Sequence, residues 1–174
     1  MMLRKTLAMA LVGLATMAAA PKPHPAVKAA KPPAMGGRDP ASLIAVLQAL
    51  GAKAAAPKQE GDSVFVTFTS PTEVFSAQFA GCDDKGHACQ AMLFDRQGVA
   101  GAPALAQLNA FNQSSVLCRL YQDKGGRPHV EYSALLFPRD GRSELLMHVN
   151  AWRGCLGDFI AFEKDPAGFL AGSP

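Results

Sequence analysis

The 174-residue sequence lacks the motifs that accompany common catalytic chemistry. It has no Cys-x-x-Cys pair, so a redox-active dithiol is not indicated. A hydrolytic triad of Ser133, His129 and Asp140 can be written on paper, but no nucleophile elbow or oxyanion-type glycine turn accompanies it. We therefore predict a protein that is not an enzyme, with no catalytic residue and no cofactor.

The sequence also lacks a strong charge of either sign. Lys and Arg total 17 against 14 Asp and Glu, and residues 39–174 hold 11 basic and 14 acidic groups. A nucleic-acid-binding domain shows the opposite pattern, with basic residues clustered on the folded part. The composition therefore predicts no nucleic-acid partner.

No apolar run is long enough to cross a bilayer, which takes about 20 residues. The longest, Leu7–Met17, follows Arg4 and Lys5 and precedes three alanines that end at Ala20. This arrangement is typical of a secretory signal peptide over residues 1–20. No cysteine follows the run, so a lipoprotein anchor is not indicated. We expect cleavage after Ala20 and a periplasmic or secreted protein with no membrane span.

Residues 21–38 consist mainly of Pro, Ala, Lys and Gly, a composition that buries too little apolar surface to fold alone. We interpret them as a semi-extended tether, and whether this tether contacts anionic envelope material is left open. Residues 39–174 then form a single domain of ordinary size.

Periodicity within the domain predicts the order α-β-β-β-α-β-β-α. Asp39-Pro40 is expected to cap a helix that runs to Gly51. The remaining predicted elements are strands 63–70, 72–80 and 89–94, a helix over 103–112, strands 116–122 and 129–137, and a helix over 142–163. Gly154 and Gly157 interrupt the last helix, which predicts a bend or close packing there. The fold class is α+β, with an antiparallel sheet covered by helices.

Four cysteines in an exported chain favour two disulfides. Of the three possible pairings, Cys82–Cys89 clasps one turn between two strands, and this leaves Cys118–Cys155 as a strand-to-helix link. The chain-entropy model gives these bonds about 2.5 and about 4 kcal/mol of stabilisation respectively.

A zinc site can be written from Cys82, Asp83, Asp84, His87 and Cys89, because all are zinc-ligand types. The six-residue gap between the two cysteines is not a usual zinc spacing, and no second ligand pair follows. We therefore predict no metal site.

Several short motifs in order resemble the YbjN-domain family of bacterial sensory transduction regulators. They are Phe79–Cys82 (FAGC), Cys89–Phe94 (CQAMLF), Leu108–Asn112 (LNAFN) and Leu120-Tyr121 before a glycine turn. The third resembles that family's Leu-Asn-x-Trp-Asn helix, with Phe111 in the place of tryptophan. The resemblance covers about residues 40–165.

The resemblance implies an α+β fold similar to type III secretion chaperones, which bind protein segments and often form dimers. It implies no catalytic residues. Asn109 and Asn112, three apart on one helix, are expected to share a face and to bond neighbouring backbone, with contact to a partner as the second interpretation. The signal peptide, the second cysteine pair and Ser114-Ser115 depart from the family pattern.

The sequence therefore leads to two hypotheses of function. The first is a non-enzymatic exported binding or regulatory module that acts on a protein partner in the bacterial envelope, with homodimerisation left open. The alternative is a small-ligand-binding or envelope-stress protein with a pocket between the sheet and the C-terminal helix. An exposed apolar patch or an unpaired sheet edge would favour the first.

Overall fold

The computed structural model describes residues 36–99 and 103–172. The predicted signal peptide and residues 21–35 of the predicted tether lie outside this part. Four helices are described: α1 Pro40–Ala49, α2 Leu105–Ser114, α3 Arg142–Lys164 and α4 Pro166–Gly172. Seven strands are described: β1 Lys53–Ala54, β2 Lys58–Glu60, β3 Ser63–Thr69, β4 Val74–Ala80, β5 Ala91–Gln97, β6 Arg119–Gln122 and β7 Pro128–Leu135.

The strands form one antiparallel sheet in the order β1-β3-β4-β5-β7-β6, with β2 also paired to β3. The α+β class and the antiparallel sheet covered by helices are confirmed. The predicted order omits three short elements, namely β1, β2 and α4. Strands of two and three residues are too short to show an alternating pattern, and Pro166 separates a seven-residue helix from α3.

One face of the sheet forms the core, because its side chains alternate between buried and outward positions along each strand. The register aligns Val66, Ala77, Phe94 and Tyr132 across four neighbouring strands. Trp152 of α3 stacks on Phe94, with ring centroids 5.3 Å apart and an interplanar angle of 10°. The longest helix therefore packs on the centre of the sheet.

The opposite face of the sheet is the more exposed one. It presents half-buried Phe65 and Leu93 along the middle strands and exposed Val74, Tyr121 and Leu135 near strand ends. Polar side chains separate these apolar ones across the register, for example Gln78 between Phe65 and Leu93. The apolar area on this face is thus broken up.

The predicted cap of the first helix is confirmed. Asp39 accepts a hydrogen bond from the Ala41 amide at 2.9 Å, and Pro40 occupies the first turn. Gly37 and Arg38, assigned to the tether from composition, also bond to the domain: the Gly37 amide donates to the Asp140 carbonyl at 2.7 Å. The contacts of the N-terminal segment with the folded domain therefore begin before Asp39.

The two glycines of α3 have a different environment from the one predicted. The helix continues through Gly154 and Gly157, and a β-carbon built at either position meets no described atom within 4 Å. Of the two predicted alternatives, a bend or close packing, the close packing is wrong. Both glycines instead face open space.

Candidate functional site

The loop between β4 and β5 has the clasped form that the sequence predicts. Cys82 and Cys89 are disulfide-bonded, with their Cα atoms 3.8 Å apart. Asp83 organises the loop, because its carboxylate accepts hydrogen bonds from the amides of Lys85 at 3.0 Å and His87 at 2.8 Å. The His87 amide contributes most to lowering the pKa of Asp83. The loop is therefore a rigid surface feature.

Arg38 fastens this loop to the N-terminal segment. Its Nε donates to the Cys89 carbonyl at 2.8 Å, a second guanidinium nitrogen donates to the Ala88 carbonyl, and the Cys89 amide donates back to the Arg38 carbonyl. Ala88 has φ 51°, a conformation that few residues other than glycine adopt. These contacts hold that conformation in place.

The second disulfide joins Cys118 to Cys155, with Cα atoms 5.5 Å apart. Cys155 lies on α3 as predicted, whereas Cys118 precedes β6 by one residue and so belongs to a loop, not to a strand. Both cysteines are buried. The bond therefore anchors the loop of residues 115–118 to the longest helix.

The two residue sets considered for chemistry do not assemble as sites. Both cysteines of the zinc hypothesis are in a disulfide, and the described residues contain no group of three or more metal-ligating side chains. Ser133 lies four residues beyond His129 on the same strand, a separation of about 13 Å. His129 bonds to Asp95 and not to Asp140, which accepts from the Phe137 amide.

His129 is the centre of a polar cluster on the more exposed face of the sheet. Its Nδ1 lies 2.9 Å from an Asp95 carboxylate oxygen, and the Tyr121 ring stacks on the imidazole at 4.7 Å. The pKa of Tyr121 is raised to about 12, mainly by burial and then by the negative charges of Asp95 and Glu131. The cluster links strands β5, β6 and β7, and its contacts to the imidazole include no serine or threonine hydroxyl and no cysteine thiol.

The two asparagines of α2 have different environments. Asn112 donates to the Leu120 carbonyl at 2.8 Å and accepts from the Leu120 amide at 2.7 Å. Its side-chain amide thus takes the place of a neighbouring strand on the outer edge of β6. Asn109 is exposed and makes no hydrogen bond to any residue within the described ranges. The predicted backbone bonding holds for Asn112 alone.

The opposite edge of the sheet is also covered. Strands β1 and β2 pair with the two halves of β3, and both are short, polar and charged. Short charged edge strands discourage pairing with another chain. Neither edge of the sheet therefore offers a long free strand, and the candidate contact surfaces are the grooves beside α3.

We call the first of these the Gly154 groove. It has a volume of about 630 Å³ and is bounded by the end of α2, the loop of residues 114–118, α3 and α4. Val116 and Leu117 form part of its wall, with 85% and 55% of their surface exposed. Asp158 is the one charged residue in its described lining. The groove is thus largely apolar and has an exposed apolar rim.

We call the second the Gly157 groove. It has a volume of about 410 Å³ and lies between the end of α1, the β3–β4 turn and α3. Leu50 and Ile160 are exposed on its walls, and Phe75 and Trp152 of the core also line it. Both grooves fall in the size range of small-ligand pockets, about 300–1,000 Å³.

The sequence hypothesis of a pocket between the sheet and the C-terminal helix matches the position of the Gly157 groove without naming its residues, and it did not anticipate the Gly154 groove. The two glycines were the available signal, because each is unfavourable in a helix and no packing contact in the described structure requires it. The sequence instead predicts a bend or close packing at these two glycines.

No protein-family model, no curated protein and no solved structure matches this chain. The likeness to the YbjN-domain family therefore stays a prediction from the quoted motifs. Within residues 36–99 and 103–172, no helix combines the length and the apolar character needed to cross a membrane.

Proposed function

We propose that this protein is a non-enzymatic exported binding or regulatory module that holds an apolar segment of a protein partner in the bacterial envelope. The observation that carries the proposal is the exposure of Val116 and Leu117 at the rim of the Gly154 groove. Adjacent large apolar side chains at an open groove are a common feature of protein-binding surfaces.

The loop that presents these two side chains is held in one shape. Ser115 accepts a hydrogen bond from the Cys118 amide at 3.1 Å, and Arg119 donates to the Ser115 carbonyl at 2.9 Å. The Cys118–Cys155 disulfide then fixes the end of the loop to α3. Such preorganisation lowers the conformational entropy lost when a partner binds.

The two disulfides support an exported location, because such bonds persist in oxidising compartments. The blocked sheet edges argue against binding by strand addition. We therefore assign partner contact to the groove beside α2, the helix that carries the two asparagines, and not to the edge that Asn112 occupies.

The test is affinity capture from bacterial envelope extract with the protein carrying Val116→Ser and Leu117→Ser. Loss of two central apolar contacts is expected to weaken capture of the partner at least tenfold. Leu135→Ser is the matched control, since Leu135 is 66% exposed on the distant sheet face. If the Leu135 control no longer captures the partner while the loop variant still does, the partner binds the sheet face and not the groove.

One observation favours the alternative function, a small-ligand-binding or envelope-stress protein with a pocket between the sheet and the C-terminal helix. The Gly157 groove lies between the β3–β4 turn and α3, and Trp152 in its lining has an unpaired indole N–H.

A further inference from the structure

The indole N–H of Trp152 is the one buried side-chain donor or acceptor without a hydrogen-bond partner in the described part of the chain. Trp152 is 1% exposed and lines the Gly157 groove. Native proteins satisfy nearly all buried polar groups, because leaving one unpaired costs about 1–3 kcal/mol. The side chain that carries this unpaired donor is thus also one that lines the groove.

The walls of the groove are aliphatic and aromatic. Leu47 and Leu50 contribute from α1, Leu156 and Ile160 from α3, and Phe75 from β4. A ligand that fills this space gains most by burying an apolar body, at about 0.8 kcal/mol per methylene.

One exposed cation lines this groove. Arg153 is exposed on its lining and forms no ion pair with any residue in 36–99 or 103–172. Glu73 also lines the groove, and its carboxylate lies 2.6 Å from Arg96, which pairs with Glu163 as well, so Arg153 is the lining cation with no carboxylate partner in the described residues. An anionic group in the groove would thus meet an unpaired guanidinium.

We propose that the Gly157 groove binds an amphiphile with an aliphatic chain and a carboxylate head. The chain packs against the leucines and Ile160, the head pairs with Arg153, and a head-group oxygen accepts from the Trp152 N–H. This site is separate from the Gly154 groove, so it does not depend on the proposed protein partner.

The absence of a side chain at Gly157 keeps this space open. A leucine there would add a large side chain to the groove lining, and its β-carbon would meet no described atom within 4 Å, so we expect the fold to be retained. Leucine is also a better helix former than glycine. Gly157→Leu therefore blocks the site without unfolding the protein.

Trp152 is the only tryptophan in the sequence, so fluorescence of the full chain reports directly on this groove. Decanoate, undecanoate and dodecanoate are titrated below their micellar concentrations. We expect saturable one-to-one binding with affinity rising roughly fourfold per methylene. Dodecanol serves as the uncharged analogue.

The variants form two matched pairs on α3. Gly157→Leu should abolish binding and Gly154→Leu should keep it. Arg153→Gln should weaken dodecanoate at least about fivefold and leave dodecanol unchanged. Arg142→Gln, about 16 Å away along the helix, should change neither.

Non-saturable partitioning, binding that does not depend on chain length, or equal losses in the two leucine variants would overturn the proposal. Loss of the protein partner by Gly154→Leu with dodecanoate binding intact would separate the two grooves. Failure of one proposal therefore does not decide the other, which has its own test.

Discussion

Replacing Asn112 with alanine should destabilise the domain by about 2 kcal/mol. The substitution removes two hydrogen bonds to the amide and carbonyl of Leu120, each worth about 0.5–1.5 kcal/mol. Leu120 is 4% exposed, so water replaces the lost partners poorly. The better helix propensity of alanine returns a few tenths of a kcal/mol.

Thermal and urea unfolding measure this effect. For a domain of this size, 2 kcal/mol corresponds to a fall in Tm of about 7 °C. Asn109→Ala is the matched control on the same helix, because Asn109 is exposed and makes no hydrogen bond to the described residues. It should change the free energy of unfolding by less than about 0.5 kcal/mol.

The substitution should not change the oligomeric state, because α2 still packs against the outer edge of β6 and keeps another strand from the amide and carbonyl of Leu120. Equal stability losses in the two variants, or none in either, would refute the assignment of Asn112 as the edge cap of β6.

Loss of the Cys118–Cys155 disulfide by paired alanine substitution should lower the free energy of unfolding by about 4 kcal/mol, and loss of Cys82–Cys89 by about 2.5 kcal/mol. Thermal unfolding under oxidising conditions measures both losses, and a larger loss for Cys82–Cys89 would contradict the prediction. Burial lowers the pKa of His148 below its ordinary 6.5, so the folded state binds fewer protons and stability falls as pH drops through 6.5. His148→Gln should flatten this slope below about pH 6.5 in urea unfolding, and an unchanged slope would show that another group causes it. Replacing Gly154 and Gly157 together with alanine should stabilise the domain by about 1–2 kcal/mol in the same assay, and a loss of stability would show that the glycines are needed by the fold.

Much of the fold follows from local pattern. The alternation in Ser63–Thr69 and Val74–Ala80 identifies strands with one buried face, and the Asp39-Pro40 pair marks the start of a helix. The strands β1 and β2 and the short helix α4 escape because a strand of two or three residues, or a helix of about two turns, carries too few side chains to show a period. Their formation depends on neighbours, as when β1 and β2 pair with β3.

The sites were less predictable, because they depend on relations between distant segments. Sequence spacing made Asn109 and Asn112 equivalent, yet only the path of β6 beside α2 decides which one is bonded. Likewise, the guanidinium of Arg96 forms ion pairs with Glu73 and Glu163, and no local sequence pattern indicates these pairs. Packing across the chain fixes these contacts.

The glycines of α3 connect the fold to the proposed binding roles. Each costs the helix about 1 kcal/mol relative to alanine, and the described structure shows no positive φ and no close contact that would require one. A helix that needed only to pack on the sheet would be more stable with alanine at both positions. Alanine is small enough to leave much of each groove open, whereas leucine takes up more of the space. If the glycines serve binding, the alanine variants should gain stability and keep their ligands, while the leucine variants should each lose one.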